Sequence, residues 1–323
     1  MTPNDFTTDD DLRDYRACRL CPRRCGVDRT AGGIGVCGES AELRIAHACP
    51  HFGEEPPISG TRGSGTVFFC GCSCGCFFCQ NAQISRQHAG TARTPAEFER
   101  LCRDLLGRGV HNLNFVTPDH YWPHLRAVCR RLRAAGHTEP FVFNSSGYEL
   151  AERVAGYAEV MDVFLPDFKF ADPELAARCL NAPDYPATAL AAVRAMVAAV
   201  GFLAPWDETG AEMARRGVLV RHLVLPGQVE NSLAVLRLLH REFGPELPLA
   251  VMSQYRPMPA CAGRPPFDRA VRAAEYAAVC DLAEDLGFHR VFLQQLDDDE
   301  AFLPDFTRPG EPFAGNLRAS PNP

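Results

Sequence analysis

From about residue 66 onward the chain alternates short apolar runs with longer stretches of helical character, and this alternation constrains the fold more than any other feature. The runs are Thr66-Val67-Phe68-Phe69, Asn112 to Val116, Pro140 to Phe143, Met161 to Leu165, Gly217 to Leu225, Leu249 to Met252 and Val291 to Leu293. Too short for helices and apolar on both faces, they read as buried parallel strands. Helices are expected between them over Pro95 to Leu106, with Thr94 as cap and Glu97 in the first turn, and over Trp122 to Ala135, Ala187 to Val200, Ser232 to Phe243 and Phe267 to Leu286. Such units cross over right-handedly into an α/β fold with a parallel sheet, either open and doubly wound or curled into a full or partial barrel. Six or seven strands favour an incomplete barrel, and 323 residues are enough for one such domain with an appendage.

Composition narrows the function classes. A net charge of -7 argues against an electrostatically driven nucleic-acid binder, which needs a basic face to displace phosphate counterions. No membrane partner is expected, because the most apolar stretch, Ala187 to Trp206, is interrupted by Arg194, Gly201 and Pro205. The amino terminus is polar and acidic, without the basic and apolar regions of a secretory signal, so the expected location is the cytoplasm. Fifteen cysteines, an odd number, fit thiolate metal ligands in a reducing compartment better than a disulfide framework. Residues 1–14 read as a disordered tail, 15–60 as a cysteine-rich metal-binding segment with its linker, 61–306 as the α/β domain, and 307–323 as a loose carboxyl tail.

Five cysteines lie between Phe69 and Asn81, but only Cys72, Cys76 and Cys79 satisfy a C-x3-C-x2-C spacing. A loop leaving the first strand of the alternating region can wrap three thiolates around three irons of a 4Fe-4S cubane, leaving the fourth iron open to a substrate. The competing reading is a buried cysteine-rich strand end or a zinc knuckle; Cys70 and Cys74 read as core residues. Cys18-x2-Cys21-x3-Cys25 with Cys37 offers a closed four-thiolate sphere, suited to structural zinc or to a second iron-sulfur cluster. Cys49, Cys102, Cys129, Cys179, Cys261 and Cys280 are scattered, and most read as small core hydrophobes. Gly33-x-Gly35-x-x-Gly38 matches a dinucleotide fingerprint formally, but it neither follows a strand nor opens a helix.

Further landmarks are Cys-Pro-Arg-Arg-Cys-Gly-Val at 21–27, His51-Phe52-Gly53-Glu54-Glu55-Pro56-Pro57, Phe115-Val116-Thr117-Pro118, Asn144-Ser145-Ser146-Gly147, Leu165-Pro166-Asp167-Phe168-Lys169, Arg221 to Gly227, and Met252-Ser253-Gln254-Tyr255. With the cysteine spacings, they make the chain resemble, over most of residues 15–306, radical S-adenosylmethionine (SAM) enzymes related to pyruvate formate-lyase activating enzyme. The resemblance implies a partial (β/α)6 TIM-like barrel whose first strand ends at the cluster loop, with SAM across the carboxyl ends of the strands. In this family the methionyl amine and carboxylate chelate the open iron, and reductive cleavage gives methionine and a deoxyadenosyl radical that takes a hydrogen atom.

The resemblance also assigns residues. Asp167-x-Lys169 matches the activases' D-x-K element, its carboxylate suited to a ribose hydroxyl and its ammonium to the methionyl carboxylate; the competing reading is a solvated strand-end ion pair. Asn144 and Arg221 match polar and basic strand-end residues, and Tyr255 stands where activases can have histidine. The family's Gly-Gly-Glu stretch for the methionyl amine is replaced by Thr117-Pro118-Asp119-His120, which offers the Thr117 hydroxyl, nearby carbonyls and Asp119. His120 and His222 read as structural. The implied partners are a reductant such as flavodoxin or ferredoxin and a protein or peptide substrate, as for a glycyl-radical activase, with a small molecule as the alternative. A non-catalytic iron-sulfur electron carrier would instead need a fourth thiolate, from Cys70 or Cys74. A zinc hydrolase finds no ligand pattern here.

Overall fold

The computed structural model describes residues 12–296, 303–308 and 310–313. Its strands are β1 (Arg44–His51), β2 (Ser64–Phe69), β3 (Thr91–Ala92), β4 (Leu113–Val116), β5 (Phe141–Ser145), β6 (Val163–Pro166), β7 (Gly217–Val218), β8 (Val220–Leu223), β9 (Leu249–Met252) and β10 (Val291–Leu293). Seven form one sheet in the order β3-β1-β2-β4-β5-β6-β7, parallel from β2 to β7 and antiparallel where β1 joins β2 and β3. At Leu219 the chain passes from β7 into β8, which opens a second, parallel sheet in the order β10-β9-β8. A bridge between Asp167 and Arg221 joins the two. Among the described residues β3 and β10 remain separate edges, so the sheet is not closed.

The strands are apolar on both faces because both are covered. Val142, Val163, Leu165, Leu219 and Ala250 face one side and pack with Ile58 and Leu203. Their neighbours Phe141, Phe143, Phe164, Val218 and Val220 face the helices, in the larger cluster that contains Trp122 and Tyr157. The longer helices are α1 (Pro95–Gly107), α2 (Trp122–Ala134), α3 (Ala151–Ala158), α4 (Pro173–Leu180), α5 (Tyr185–Val200), α6 (Val229–Phe243) and α7 (Ala273–Asp285). Helix α1 begins as its sequence dictates: the Glu97 N–H donates to the Thr94 hydroxyl at 3.2 Å, and the Thr94 N–H donates to the Glu97 carboxylate at 2.8 Å. Phe98, Cys102, Leu105 and Leu106, at helical spacing, are its buried face. Helix α5 buries Ala189, Ala192, Val193 and Met196 and stops at Gly201, whose φ of 76° suits a residue without Cβ. No helix among the described residues is long and apolar enough to cross a membrane.

Several expectations change. The helix expected over Phe267 to Leu286 begins only at Ala273, because Phe267 is held in a loop by packing. Its ring stacks on Phe78 at 6.3 Å and meets Phe77 edge-on at 5.1 Å, and its carbonyl accepts the Tyr255 hydroxyl at 2.6 Å. Residues 1–11 of the expected amino-terminal tail lie outside the described residues, but Arg13–Arg16 form a helical turn anchored by the fully buried Tyr15 and by a 2.5 Å Asp14–Arg153 ion pair. At the other end Phe313, assigned to a loose tail, bridges to Pro304 and packs on His51 at 4.4 Å and on Phe68 at 5.9 Å.

Candidate metal centre

A cavity of about 500 Å³ opens at the carboxyl ends of the parallel strands and is lined by Cys72, Cys76, Cys79, Thr117, Asn144, Asp167, Lys169, Arg221 and Tyr255, together with Glu54 and Glu55. Parallel α/β sheets place ligands at this end. A smaller cavity of about 330 Å³, at the opposite strand ends, is lined by Arg62, His111 and Arg215 and has no cysteine.

The cysteine loop leaves β2 at Phe69. Gly71 permits its first turn: φ is 81°, and a Cβ there would meet the Cys37 carbonyl oxygen at 2.8 Å. The Cys72 N–H donates to that same oxygen at 3.2 Å. The Cys72 sulfur accepts from the Cys74 N–H at 3.4 Å, and the Ser85 hydroxyl donates to the Cys79 sulfur at 3.3 Å. Donation from the Cys74 thiol, followed by the Gly75 and Cys74 amides, draws the Cys72 pKa down to about 6 against its burial. Burial pushes Cys76 and Cys79 upward, with Lys169 pulling both back. Cys74 lines the cavity as a protonated donor, whereas Cys70 is buried with Cys49, Phe68 and Ile84 and does not line it. Cys102, Cys129, Cys179 and Cys261 are core residues, and Cys280 is half-buried.

Among the described residues no three Cys, His, Asp or Glu side chains converge on a point fit for one metal ion. Three thiols lining one cavity can serve three corners of a cubane.

Asp167 and Lys169 close one wall as an ion pair, mostly buried. Burial opposes the Lys169 charge, but Asp167 and Cys76 outweigh it and hold its pKa above the ordinary lysine value. On another wall Arg221 pairs with both Glu54 and Glu55, donating from Nε to Glu55 Oε1 at 2.9 Å. The amides of Asn114 and Asn144 donate to Glu54 Oε1 at 2.7 and 3.3 Å. Arg221 is therefore beside the cavity with its guanidinium already engaged. Thr117, a β-branched residue, adopts a φ of 52°, with its N–H held by the Asn144 carbonyl at 2.7 Å. That conformation is strained and is held where the cavity wall is made.

Three expectations are revised by this geometry. Tyr255 is 1% exposed and its hydroxyl is bound to the Phe267 carbonyl, so only its ring is left for the cavity. Asp119 does not line the cavity; it is buried, with Oδ2 unpartnered, and its field reaches Cys21 and Cys37 on one side and Cys72 on the other. Glu54 and Glu55, noted in the sequence only as a landmark, are site residues. Adjacent carboxylates before Pro56-Pro57 were the available signal. His120 and His222 are structural: each bonds a backbone carbonyl at 2.7 Å, and burial lowers the His222 pKa to about 4.

The amino-terminal cysteines sit against the cysteine loop. Cys18, Cys21 and Cys37 are buried and Cys25 is half-buried. Reciprocal backbone bonds, Cys18 N–H to Val27 O at 3.0 Å and Gly26 N–H to Cys18 O at 2.9 Å, close the turn. Arg23 fastens it, donating to the carbonyls of Ser73, Asn181 and Leu180 at 2.9, 2.6 and 2.7 Å. The last two belong to the carboxyl end of α4, where a cation is favoured.

Residues 59–172 match a family model described as a 4Fe-4S single cluster domain. An uncharacterized protein of Methanocaldococcus jannaschii is 27% identical over 277 residues, covering 84% of this chain and 75% of the relative. The matched segment includes Cys72, Cys76 and Cys79, and it is an iron-sulfur cluster-binding domain.

Proposed function

We propose that the chain is a radical SAM enzyme, with β2, β4, β5, β6, the near-continuous β7–β8 and β9 as the six successive strands of an incomplete (β/α)6 barrel and β10 as an added edge. The observation that carries this reading is the meeting, in one cavity, of the C-x3-C-x2-C thiols with Asp167, Lys169 and Thr117. Cys72, Cys76 and Cys79 would hold a 4Fe-4S cluster and leave one iron without a protein ligand. When bound and reduced, that cluster supplies the electron that cleaves SAM to methionine and a deoxyadenosyl radical, which takes a hydrogen atom from the substrate.

The protein's part is to bind and orient. Lys169, held cationic by Asp167, suits the methionyl carboxylate, and the free oxygen lone pairs of Asp167 suit ribose hydroxyls. The family's amine-binding glutamate is missing from the second parallel strand, and Glu54, fixed by Asn114, Asn144 and Arg221, supplies a carboxylate beside the same cavity. Thr117 offers a hydroxyl. Phe68, Phe78 and Phe313 give apolar walls that exclude water. Activase-like action in the cytoplasm on a protein or peptide, with flavodoxin or ferredoxin as reductant, is the reading the landmarks favour.

The test is anaerobic reconstitution, then dithionite and SAM, with deoxyadenosine measured. Wild-type protein is expected to release it and Cys76→Ala to lose it altogether. A second reading, an electron carrier with a fully ligated cluster, draws on Cys74 lining the cavity beside Cys72. Cys74→Ala separates the two: loss of the cluster supports the carrier, while retained cluster and cleavage support the enzyme.

A further inference from the structure

Arg29 presents a physical problem. It is 1% exposed, and an arginine keeps its charge at any accessible pH. Among the described residues no carboxylate lies within ion-pair distance of it. Its guanidinium donates to the Ser40 carbonyl at 2.6 and 3.1 Å and to the His120 carbonyl at 2.6 Å, and lies over the Tyr15 ring at 4.4 Å and the Tyr121 ring at 5.6 Å. Its other polar neighbour is the Cys18 sulfur, 3.9 Å from Nη1. Carbonyl dipoles and rings temper a buried cation, but a buried charge is ordinarily matched by an opposite one.

We infer that Cys18, Cys21, Cys25 and Cys37 hold a second iron-sulfur cluster, with Arg29 as its buried counter-charge. Four thiolates around a cubane are anionic and place that charge beside the guanidinium. The Val36 N–H already points at the Cys25 sulfur, 3.3 Å away, as amides do toward cluster thiolates. The sulfurs of Cys25 and Cys37 lie 3.6 and 3.4 Å from where a Cβ on Gly35 would be, so the two thiols meet around a residue that has no side chain to crowd them.

The site also has a direction. On its inner side the Cys37 carbonyl receives the Cys72 N–H. On its outer side Ile34 and Val36 are 58% and 62% exposed, an apolar patch beside the thiols of Cys25 and Cys37. This face fits the apolar rim of a small one-electron carrier. With both clusters bound, one electron would pass from the reduced carrier to the outer thiolate set and on toward Cys72, Cys76 and Cys79, with no bond made or broken. The transfer rests on the proposed function, whereas the second cluster does not.

The experiment begins with the full chain carrying Cys72→Ala, Cys76→Ala and Cys79→Ala, reconstituted anaerobically. It is expected to keep about four iron and four sulfide and to give an electron paramagnetic resonance signal on reduction, lost when Cys21→Ala is added. The complementary Cys21→Ala/Cys25→Ala chain, checked for folding by circular dichroism, is expected to fall from about eight iron to about four. Zinc or no metal in the first chain, or unchanged iron in the second, overturns the inference. Ile34→Glu probes direction: iron content and reduction by dithionite should be unchanged while reduction by flavodoxin is lost. Unchanged reduction by flavodoxin overturns the direction. These readouts stand whether or not deoxyadenosine is ever formed.

Discussion

Glu54 is a carboxylate buried to all but 9% of its side chain. Burial opposes its charge, and Arg221, two asparagine amides and His51 outweigh that penalty, holding its pKa below the ordinary value of 4.5. A folded state that binds this proton less readily than the unfolded one gains stability above pH 4.5 and loses it as the pH falls through the depressed folded value. Urea midpoints followed from neutral into acid conditions should therefore drop for the wild type. Glu54→Gln should flatten that drop and cost ~3–5 kcal/mol at neutral pH if Arg221 is left poorly compensated. A cost near zero would mean that Glu55 alone neutralises the guanidinium. This cluster was hardly legible in the sequence, because its partners stand 166 and 167 residues apart and no spacing rule links them. Tyr255 shows the converse: a side chain reaching the right cavity had its hydroxyl taken by Phe267, a partner that folding alone brings near.

The elements were easier to read where local chemistry and burial agree. Runs such as Leu113–Val116 and Leu249–Met252 are covered on both sides and contain little but apolar residues. Strand β1 was invisible because it pairs antiparallel on the sheet's flank and carries Arg44, His47, Pro50 and His51. Helices α3 and α4, eight residues each, were not among the expected helices, and Phe267 left the expected helix to stack on Phe78. Where a cap is spelled out, its energy can be stated: Thr94→Ala removes the acceptor for the Glu97 N–H and should cost about 1 kcal/mol by chemical denaturation, with Thr94→Ser recovering most of it. No change would mean that water serves that amide equally well.

At the scale of the molecule, the spacing of Cys72, Cys76 and Cys79 and the order of the strands brought the thiols and the Asp167–Lys169 pair to one end of the sheet. What the sequence could not disclose was the seating of the amino-terminal segment. Arg23 does much of this, joining that segment to Ser73 in the cysteine loop and to the end of α4. Arg23→Ala should leave the helical content intact while speeding proteolysis within residues 18–40 severalfold, read by limited digestion and mass spectrometry. An unchanged rate would place the anchoring in Tyr15 and Asp14 instead.

The hydrogen bond from the Cys72 amide to the Cys37 carbonyl bears on biogenesis. Each cysteine loop is part of the scaffold of the other, so neither has its final shape until both segments have folded. The amide of Cys72 should then gain protection from hydrogen exchange only in step with the backbone of residues 18–40, so that the two segments register as one unit of folding although they are far apart in order along the chain.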